Sequence, residues 1–132
     1  MPTLRQQIVD LHSRQISPAT VEVEHGLITS IHPLRDDEPI DPGFLLPGFI
    51  DAHVHVESSM LPPTEFARVA VRHGTVATVS DPHEIANVLG EEGLEFMLAE
   101  ADRACMPIYF GVPSCVPATD FETSGERIDA VA

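Results

Sequence analysis

Apolar and polar positions follow two different patterns along this chain, and the change falls near residue 47. Before it, apolar residues alternate with polar ones over short stretches, which predicts strands joined by tight turns. The alternating positions are Val21, Val23, Leu27 and Ile31. His25-Gly26 lies between them and predicts a hairpin turn, and the charged, Pro-rich stretch 35–42 predicts a connector.

After residue 47, predicted strands and helices alternate, as they do in an α/β protein with a parallel sheet. The predicted elements are a strand over 49–56, a helix that starts at Pro62-Pro63-Thr64 and ends at Gly74, a strand over 75–80, a helix over 91–104, a strand over 108–112, a loop over 113–125 and a further helix from 126. The apolar stripe of the 91–104 helix consists of Leu94, Met97, Leu98 and Ala101. We therefore expect two regions, 1–46 and 47–132.

The predicted strand over 49–56 carries the most informative pattern. With a period of two, one face holds Asp51, His53, His55 and Glu57, and the other holds Ile50, Ala52, Val54 and Val56. Two imidazoles and two carboxylates on one buried face need a compensating charge, and a divalent cation supplies one. The pattern therefore favours a metal site with His53 and His55 as ligands. The alternative is a solvated strand face that happens to carry two histidines.

Asp81-Pro82-His83 forms a second candidate group, directly after the predicted strand over 75–80. Catalytic groups of α/β barrels lie at this end of their strands. Pro82 restricts the backbone between Asp81 and His83 and favours a fixed geometry. The alternative is that Asp81 caps the next turn while His83 faces solvent.

The other candidates are weaker. The histidines before residue 47 lie away from the predicted α/β region, and we expect them at the surface; they are His12, His25 and His32. Cys115 follows the predicted third strand, and it either lines a pocket or is a buried, inert thiol. The spacing identifies no residue that binds a substrate.

Composition and charge narrow the classes of partner. The chain has 132 residues, with 21 acidic and 7 basic side chains and a formal charge of −14. This charge opposes binding to a phosphate backbone, so we expect no nucleic-acid partner. No apolar run approaches the roughly 18 residues of a membrane span, and the N-terminus has no secretory signal. With no CxxC pair, we expect a soluble, cytoplasmic protein without a membrane partner.

Five stretches together resemble a known family. PGFIDAHVH at 47–55 resembles the first-strand signature of the amidohydrolase superfamily. HVHVESSM at 53–60, SDPHEIANV at 80–88, PSCVPAT at 113–119 and FETSG at 121–125 narrow the resemblance to the adenine deaminases of the bacterial type. The resemblance covers nearly the whole chain. Four ordered motifs at matching spacing carry it, namely those at 53–60, 80–88, 113–119 and 121–125.

The resemblance implies a fold, a reaction and roles for particular residues. The fold is the N-terminal part of a metal-dependent (β/α)8 hydrolase barrel, preceded by strands of a small β-sandwich. His53 and His55 hold a divalent transition metal, with manganese favoured over iron or zinc. Asp81 and His83 are the catalytic residues that assist proton transfer or orient the substrate. The reaction converts adenine and water into hypoxanthine and ammonia, in purine salvage.

Length separates the chain from the complete family pattern. A (β/α)8 barrel needs about 250 residues, and about three of its eight strands are expected here. The family's further metal ligands belong to later strands, so we expect negligible turnover from this chain by itself. Two alternatives stay open: hydrolysis of another cyclic amidine or amide, and a non-catalytic fragment that binds metal weakly or pairs with another chain. A homo-oligomer is also left open.

Overall fold

The chain divides after Pro47 in a computed structural model that describes residues 2–113 and 116–128. One unit, Met1–Pro47, is all strand and turn and is called the sheet unit below. The other, Gly48–Ala132, contains parallel strands and helices and is called the α/β unit. No helix in the described residues has the length and apolar character that crossing a membrane requires.

The sheet unit contains four strands in the spatial order β3-β2-β1-β4. The strands are β1 (Thr3–Asp10), β2 (Gln15–Glu24), β3 (Leu27–Pro33) and β4 (Phe44–Leu45). The first three pair antiparallel, and β4 adds to β1 in parallel. The connector 34–43 contains no strand or helix. Chain neighbours are therefore mostly sheet neighbours, as local hairpin pairing requires.

The predicted hairpin turn between β2 and β3 is confirmed. His25 and Gly26 both have positive φ angles, 50° and 79°, which are the angles of the tight turn that matches strand twist. Strand β1 was not predicted, because its sequence TLRQQIVD lacks strict alternation. It forms through an eight-residue register with β2. Val21 is buried, whereas Leu27 is 71% exposed, so much of the apolar surface here is uncovered within the described residues.

The α/β unit has a three-stranded parallel sheet in the order β5-β6-β7. Its elements are β5 (Phe49–Val54), a 3₁₀ helix (Glu57–Ser59), α1 (Pro63–Ala70), a 3₁₀ helix (Val71–His73), β6 (Thr75–Ser80), α2 (His83–Ala101) and β7 (Ile108–Phe110). Helices alternate with the strands, which is the mixed α/β architecture that the sequence predicted. The main core lies between sheet and helices and is formed by Val56, Ala67, Met97, Met106 and Ile108.

The first helix and the second strand of this unit follow their local signals. Pro63 occupies the first turn of α1, where a missing N–H costs no hydrogen bond. Gly74 ends the segment with a φ of 91°, and its N–H donates to the carbonyl of Val71. Strand β6 has the predicted bounds, Thr75–Ser80.

The second helix begins eight residues earlier than predicted, at His83 rather than near residue 91. Gly90 interrupts it with φ 59° and ψ −138°, so α2 consists of two helical segments joined at a kink. The acidic residues after Gly90 resemble a helix start, so the sequence did not reveal the helical segment that precedes Gly90. The predicted stripe is correct for buried Met97 and wrong for Leu98, which is 53% exposed.

Two predictions near the C-terminal end are wrong. Strand β7 ends at Phe110 instead of residue 112. The helix predicted from 126 is absent over 126–128, because Ile128 pairs antiparallel with Val116. Residues 129–132 lie outside the described part of the chain. The Val116–Ile128 pair packs on Ala86 and Leu94, which fixes the segment 116–128 against α2.

Candidate metal centre

The two-faced pattern predicted for residues 49–57 is broken in the structure. Strand β5 ends at Val54, and its register with β6 shifts between Asp51 and Val54. Asp51 pairs with Thr78, and its Oδ1 accepts the backbone N–H of His53 at 3.2 Å. Asp51 belongs to neither group of side chains that could hold a cation together. Asp51 therefore does not join His53 and His55 as a ligand candidate.

The apolar face of the same stretch is also only partly as predicted. Val56 is fully buried and Val54 packs against the main core, but Ile50 is 65% exposed. Ile50 is opposite Ala77, whereas Val54 is opposite Ser80, and the register shift lies between these two pairs. Only the C-terminal end of β5 is therefore anchored in the core, directly before His55.

Glu57 lies in a 3₁₀ helix and supports α2 instead of facing a metal site. Its Oε1 accepts the N–H of Glu84 at 3.2 Å, in the first turn of α2. The hydroxyl of Ser58 donates to the Glu84 carboxylate at 2.7 Å. A carboxylate at a helix N-terminus satisfies an unpaired N–H and suits the helix dipole. These bonds tie the segment after His55 to the segment that carries His83.

His53 and His55 point their ring nitrogens at each other. Their Nε2 atoms are 3.2 Å apart, and Nδ1 of His55 lies 2.8 Å from the carbonyl oxygen of Asp81. Because a carbonyl only accepts, Nδ1 of His55 carries the proton and its Nε2 keeps a free lone pair. Metal-binding histidines are commonly fixed in this way by an outer carbonyl.

The nitrogen spacing fits a transition metal. Two ligands about 2.1 Å from one ion lie roughly 3.0–3.4 Å apart when they occupy adjacent positions. The 3.2 Å contact is satisfied either by a proton on Nε2 of His53 that is donated to His55, or by a cation bound to both nitrogens. One oxygen of the Asp81 carboxylate lies within 4.8 Å of a ring nitrogen of His53 and of a ring nitrogen of His55. Imidazole and carboxylate form a donor set suited to zinc, iron or manganese.

Asp81 and His83 form a pair beside these histidines. Oδ2 of Asp81 lies 3.1 Å from Nδ1 of His83, and the rings of His83 and His55 are 4.7 Å apart at their centres. The N–H of Asp81 donates to the carbonyl of Val54, which links the ends of β5 and β6. The N-cap residue of α2 is Pro82, and the Asp81 carboxylate bonds to His83 instead of to an N–H of α2, so the capping alternative for Asp81 is wrong.

A second cation-binding group is less suitable. It consists of His55, His83 and Glu84, again within 4.8 Å. Both oxygens of Glu84 already accept the hydroxyl of Ser58, at 2.7 and 2.8 Å. Among the described residues, the Asp81 carboxylate bonds to His83 through Oδ2 alone, so its Oδ1 stays available. The first group, with His53, His55 and Asp81, is therefore the better candidate.

A cavity of about 660 Å³ opens next to the cluster, at the C-terminal ends of β6 and β7. Its lining residues are His53, Val79, Ser80, Asp81, His83, Asn87, Gly111, Val112, Pro113, Ala118 and Glu122. Neither Asn87 nor Glu122 was identified from the sequence. The available signal was the four-residue spacing of His83 and Asn87, which becomes informative once a helix starts at His83.

The remaining candidates lie elsewhere. The sheet-unit histidines are exposed, as predicted; they are His12, His25 and His32. Cys115, predicted to line a pocket or to be a buried thiol, lies outside the described residues. The structure thus brings together the four side chains named from the sequence, His53, His55, Asp81 and His83, and leaves Asp51 and Glu57 out.

Comparisons with known proteins identify the family that this chain resembles in sequence. Residues 44–132 match the model of the Amidohydrolase family. The chain is 62% identical over 128 residues to an adenine deaminase of Salinibacter ruber, and 59% identical over 125 residues to one of Sulfurovum sp.. It is 54% identical over 132 residues to an adenine deaminase of Methanosarcina barkeri. The alignments cover 96%, 95% and 100% of this chain but only 23% of each relative.

Proposed function

Because this chain belongs to the amidohydrolase family, we propose that it is the N-terminal part of an adenine deaminase. The reaction would convert adenine and water into hypoxanthine and ammonia. The observation that carries the proposal is the convergence of His53, His55 and Asp81 at one end of a parallel sheet, in a chain similar to three adenine deaminases. The chain spans about 23% of the length of those relatives, so the activity belongs to a longer polypeptide in this proposal.

We assign residues 47–132 to the first βα units of a (β/α)8 barrel and residues 1–46 to part of a flanking β-sandwich. Three adjacent parallel strands with intervening helices support the first assignment. The polar cluster at the C-terminal ends of those strands supports it too, because barrel enzymes keep their active sites there. The four-stranded sheet with an uncovered apolar face supports the second assignment.

His53, His55 and Asp81 would hold the divalent metal, with manganese favoured over iron or zinc. When bound, the metal supplies Lewis-acid activation of water near neutral pH. The residues of this chain prepare its ligands: the Asp81 carbonyl fixes the proton of His55 on Nδ1, and Nε2 then faces His53. The backbone of Asp81 therefore orients one ligand while its side chain remains available.

His83 and Asp81 would take part in proton transfer beside the purine. The Asp81 carboxylate accepts from Nδ1–H of His83, which leaves Nε2 of His83 with a lone pair. An imidazole in this tautomer can take a proton and return it to a departing amine. The bond also fixes the ring against the cavity wall, so the acceptor nitrogen has one orientation. We further propose a cytoplasmic location, where free adenine is salvaged.

A full-length hybrid tests the proposal. The 128-residue aligned part of this chain would replace the matching segment of the Salinibacter ruber relative, and ammonia release from adenine would be measured with added Mn²⁺. We expect turnover comparable to that of the relative. Turnover of another cyclic amidine without adenine would favour a different amidohydrolase substrate. A folded, metal-loaded hybrid without activity on any of them would contradict the proposal.

The 132-residue chain alone is the companion experiment. We expect no ammonia release even with excess Mn²⁺, because the family resemblance implies further metal ligands on strands that follow these three. Weak metal binding or self-association without turnover would match a non-catalytic fragment. Measurable deamination by the chain alone would refute the expectation that further ligands are required.

A further inference from the structure

Asn87 lies at the candidate site but has no part in the proposed metal binding or proton transfer. It follows His83 by four residues on α2, so the two side chains lie on one helix face, about one turn apart. Both residues line the 660 Å³ cavity, together with His53 and Asp81. The Asn87 side chain therefore borders the space next to the candidate metal ligands.

Several other polar groups of the cavity have a partner among the described residues. Asp81 and His83 bond to each other at 3.1 Å, and the hydroxyl of fully buried Ser80 accepts the N–H of Val56 at 3.4 Å. Glu122 accepts the Thr119 hydroxyl at 3.5 Å. The half-buried Asn87 amide makes no side-chain hydrogen bond to any described residue. As far as the described residues go, its donor and acceptor are therefore available to a ligand in the cavity.

The backbone at Asn87 is fixed from the opposite side. Its carbonyl accepts the N–H of Gly125 at 2.8 Å and the N–H of Glu126 at 3.3 Å. A Cβ atom on Gly125 would lie 2.8 Å from the carbonyl oxygen of Val88, so a larger residue would push the two segments apart. The adjacent residue Ala86 is fully buried under the Val116–Ile128 pair. A side chain on such a rigid base is preorganised for binding.

We propose that the Asn87 side-chain amide is a specificity-determining contact, which hydrogen-bonds a ring nitrogen and its neighbouring N–H on one edge of the purine. The inference rests on the proposed function. An amide offers one donor and one acceptor in a plane, and adenine presents an adjacent acceptor and donor on its edges. On the edge that carries N7 and the exocyclic amine, a ligand with an oxygen in place of the amine presents two acceptors and would lose one of the two bonds. On that edge Asn87 would therefore help the site to prefer adenine over its product.

The experiment uses the full-length hybrid with Asn87→Leu, which removes both hydrogen bonds and keeps the same number and branching of side-chain heavy atoms. We expect kcat/KM for adenine to fall about 10- to 100-fold, the range of one bidentate base contact. Metal content and the melting temperature should stay unchanged. Val88→Ala is the matched control, since Val88 is the exposed neighbour on the same helix, and it should leave kcat/KM unchanged.

Inhibition constants of deaza analogues separate recognition from a general defect. With 1-deaza-, 3-deaza- and 7-deazaadenine, one ring nitrogen at a time is replaced by C–H. We expect the penalty of Asn87→Leu to shrink to about 3-fold or less for the analogue that lacks the contacted nitrogen, and to persist for the other two. An equal penalty for all analogues, or none for adenine, would overturn the inference. If the parent hybrid is inactive on adenine, the proposed function fails instead.

Discussion

The two units of this chain carry similar numbers of histidines and use them differently. His12, His25 and His32 of the sheet unit are exposed and lie on separate strands and turns. His53, His55 and His83 of the α/β unit converge, with ring centres 5.0 and 4.7 Å apart. Residue type alone therefore does not make a site.

The difference follows from strand direction. Antiparallel hairpins send consecutive strand ends to opposite edges of the sheet, so residues that follow them are scattered. Parallel strands place all their C-terminal ends at one edge, where residues following β5 and β6 meet. The bond from Asp81 N–H to the Val54 carbonyl lies at this junction. This topology brings the polar side chains of the two sequence motifs together at one edge of the sheet.

The largest effect should come from the converging histidines. In the full-length hybrid, His53→Ala or His55→Ala should weaken Mn²⁺ or Zn²⁺ binding more than about 100-fold and abolish deamination, since even loss of an outer partner costs 10–100-fold. Calorimetric titration and ammonia release measure both. His32→Ala in the sheet unit should change neither. A similar loss of metal binding and deamination in His32→Ala would contradict the difference between the histidines of the two units.

The Asp81–His83 pair should come next. Asp81→Asn removes the charged acceptor beside Nδ1 of His83, and kcat should fall about 10²- to 10⁴-fold, the usual contribution of a positioned proton-transfer group. Steady-state kinetics on the metal-loaded hybrid gives the value. Asp37→Asn, at an exposed position in the connector of the sheet unit, should have no effect. Unchanged kcat in Asp81→Asn would remove the pair from the mechanism.

Glycine substitutions compare packing with backbone strain. Gly125→Ala should destabilise the hybrid by about 1–3 kcal/mol, because its Cβ would meet the Val88 carbonyl at 2.8 Å. Gly26→Ala meets no atom within 4 Å, and its cost of roughly 1–2 kcal/mol comes from the positive φ alone. Urea unfolding measures both. Only Gly125→Ala should also raise the inhibition constant of adenine analogues. Equal constants in the two variants would contradict the role of the 116–128 segment in holding the backbone at Asn87.

A smaller loss of stability is expected at Glu57. Glu57→Ala leaves the Glu84 N–H without its acceptor and should lower the free energy of unfolding by about 1 kcal/mol. Glu22→Ala in the sheet unit removes an exposed bond to Ser30 and should cost less than about 0.5 kcal/mol. Thermal denaturation of the two variants compares them. A larger cost for Glu22→Ala would show that surface bonding outweighs this helix cap.

The smallest effect concerns pH and the first turn of the sheet unit. The Ser13 hydroxyl, followed by the N–H groups of His12 and Ser13, lowers the pKa of Asp10 below its usual value of 3.8. A lowered folded-state pKa gives stability that is present above the unfolded value and lost as the pH falls through the folded one. Ser13→Ala should raise the pKa of Asp10 in an NMR titration. No change would mean that the hydroxyl does not set it.

Elements with strong local signals could be predicted from the sequence. The His25-Gly26 turn, the Gly74 stop and strand β6 each depend on residues within a few positions. His53, His55, Asp81 and His83 could be named because they follow or end predicted parallel strands. Strand β1 could not, since it depends on pairing with β2.

The errors have physical causes of the same non-local kind. The register shift between Asp51 and Val54 arises in the pairing with β6, and Asp51 lies outside the candidate ligand groups. Glu57 was assigned to that face because its true partner, the Glu84 N–H, is 27 residues away. Asn87 could be recognised only in the structure, where the segment 116–128 packs on α2.

The central claim is that His53, His55 and Asp81 hold one divalent ion, and an anomalous difference map tests it most directly. Crystals of the full-length hybrid grown with Mn²⁺ would be measured at a wavelength with strong manganese signal. The account predicts a peak roughly 2.0–2.3 Å from Nε2 of both His53 and His55, with an Asp81 oxygen nearby. A metal-loaded crystal whose peak lies away from both nitrogens would contradict it.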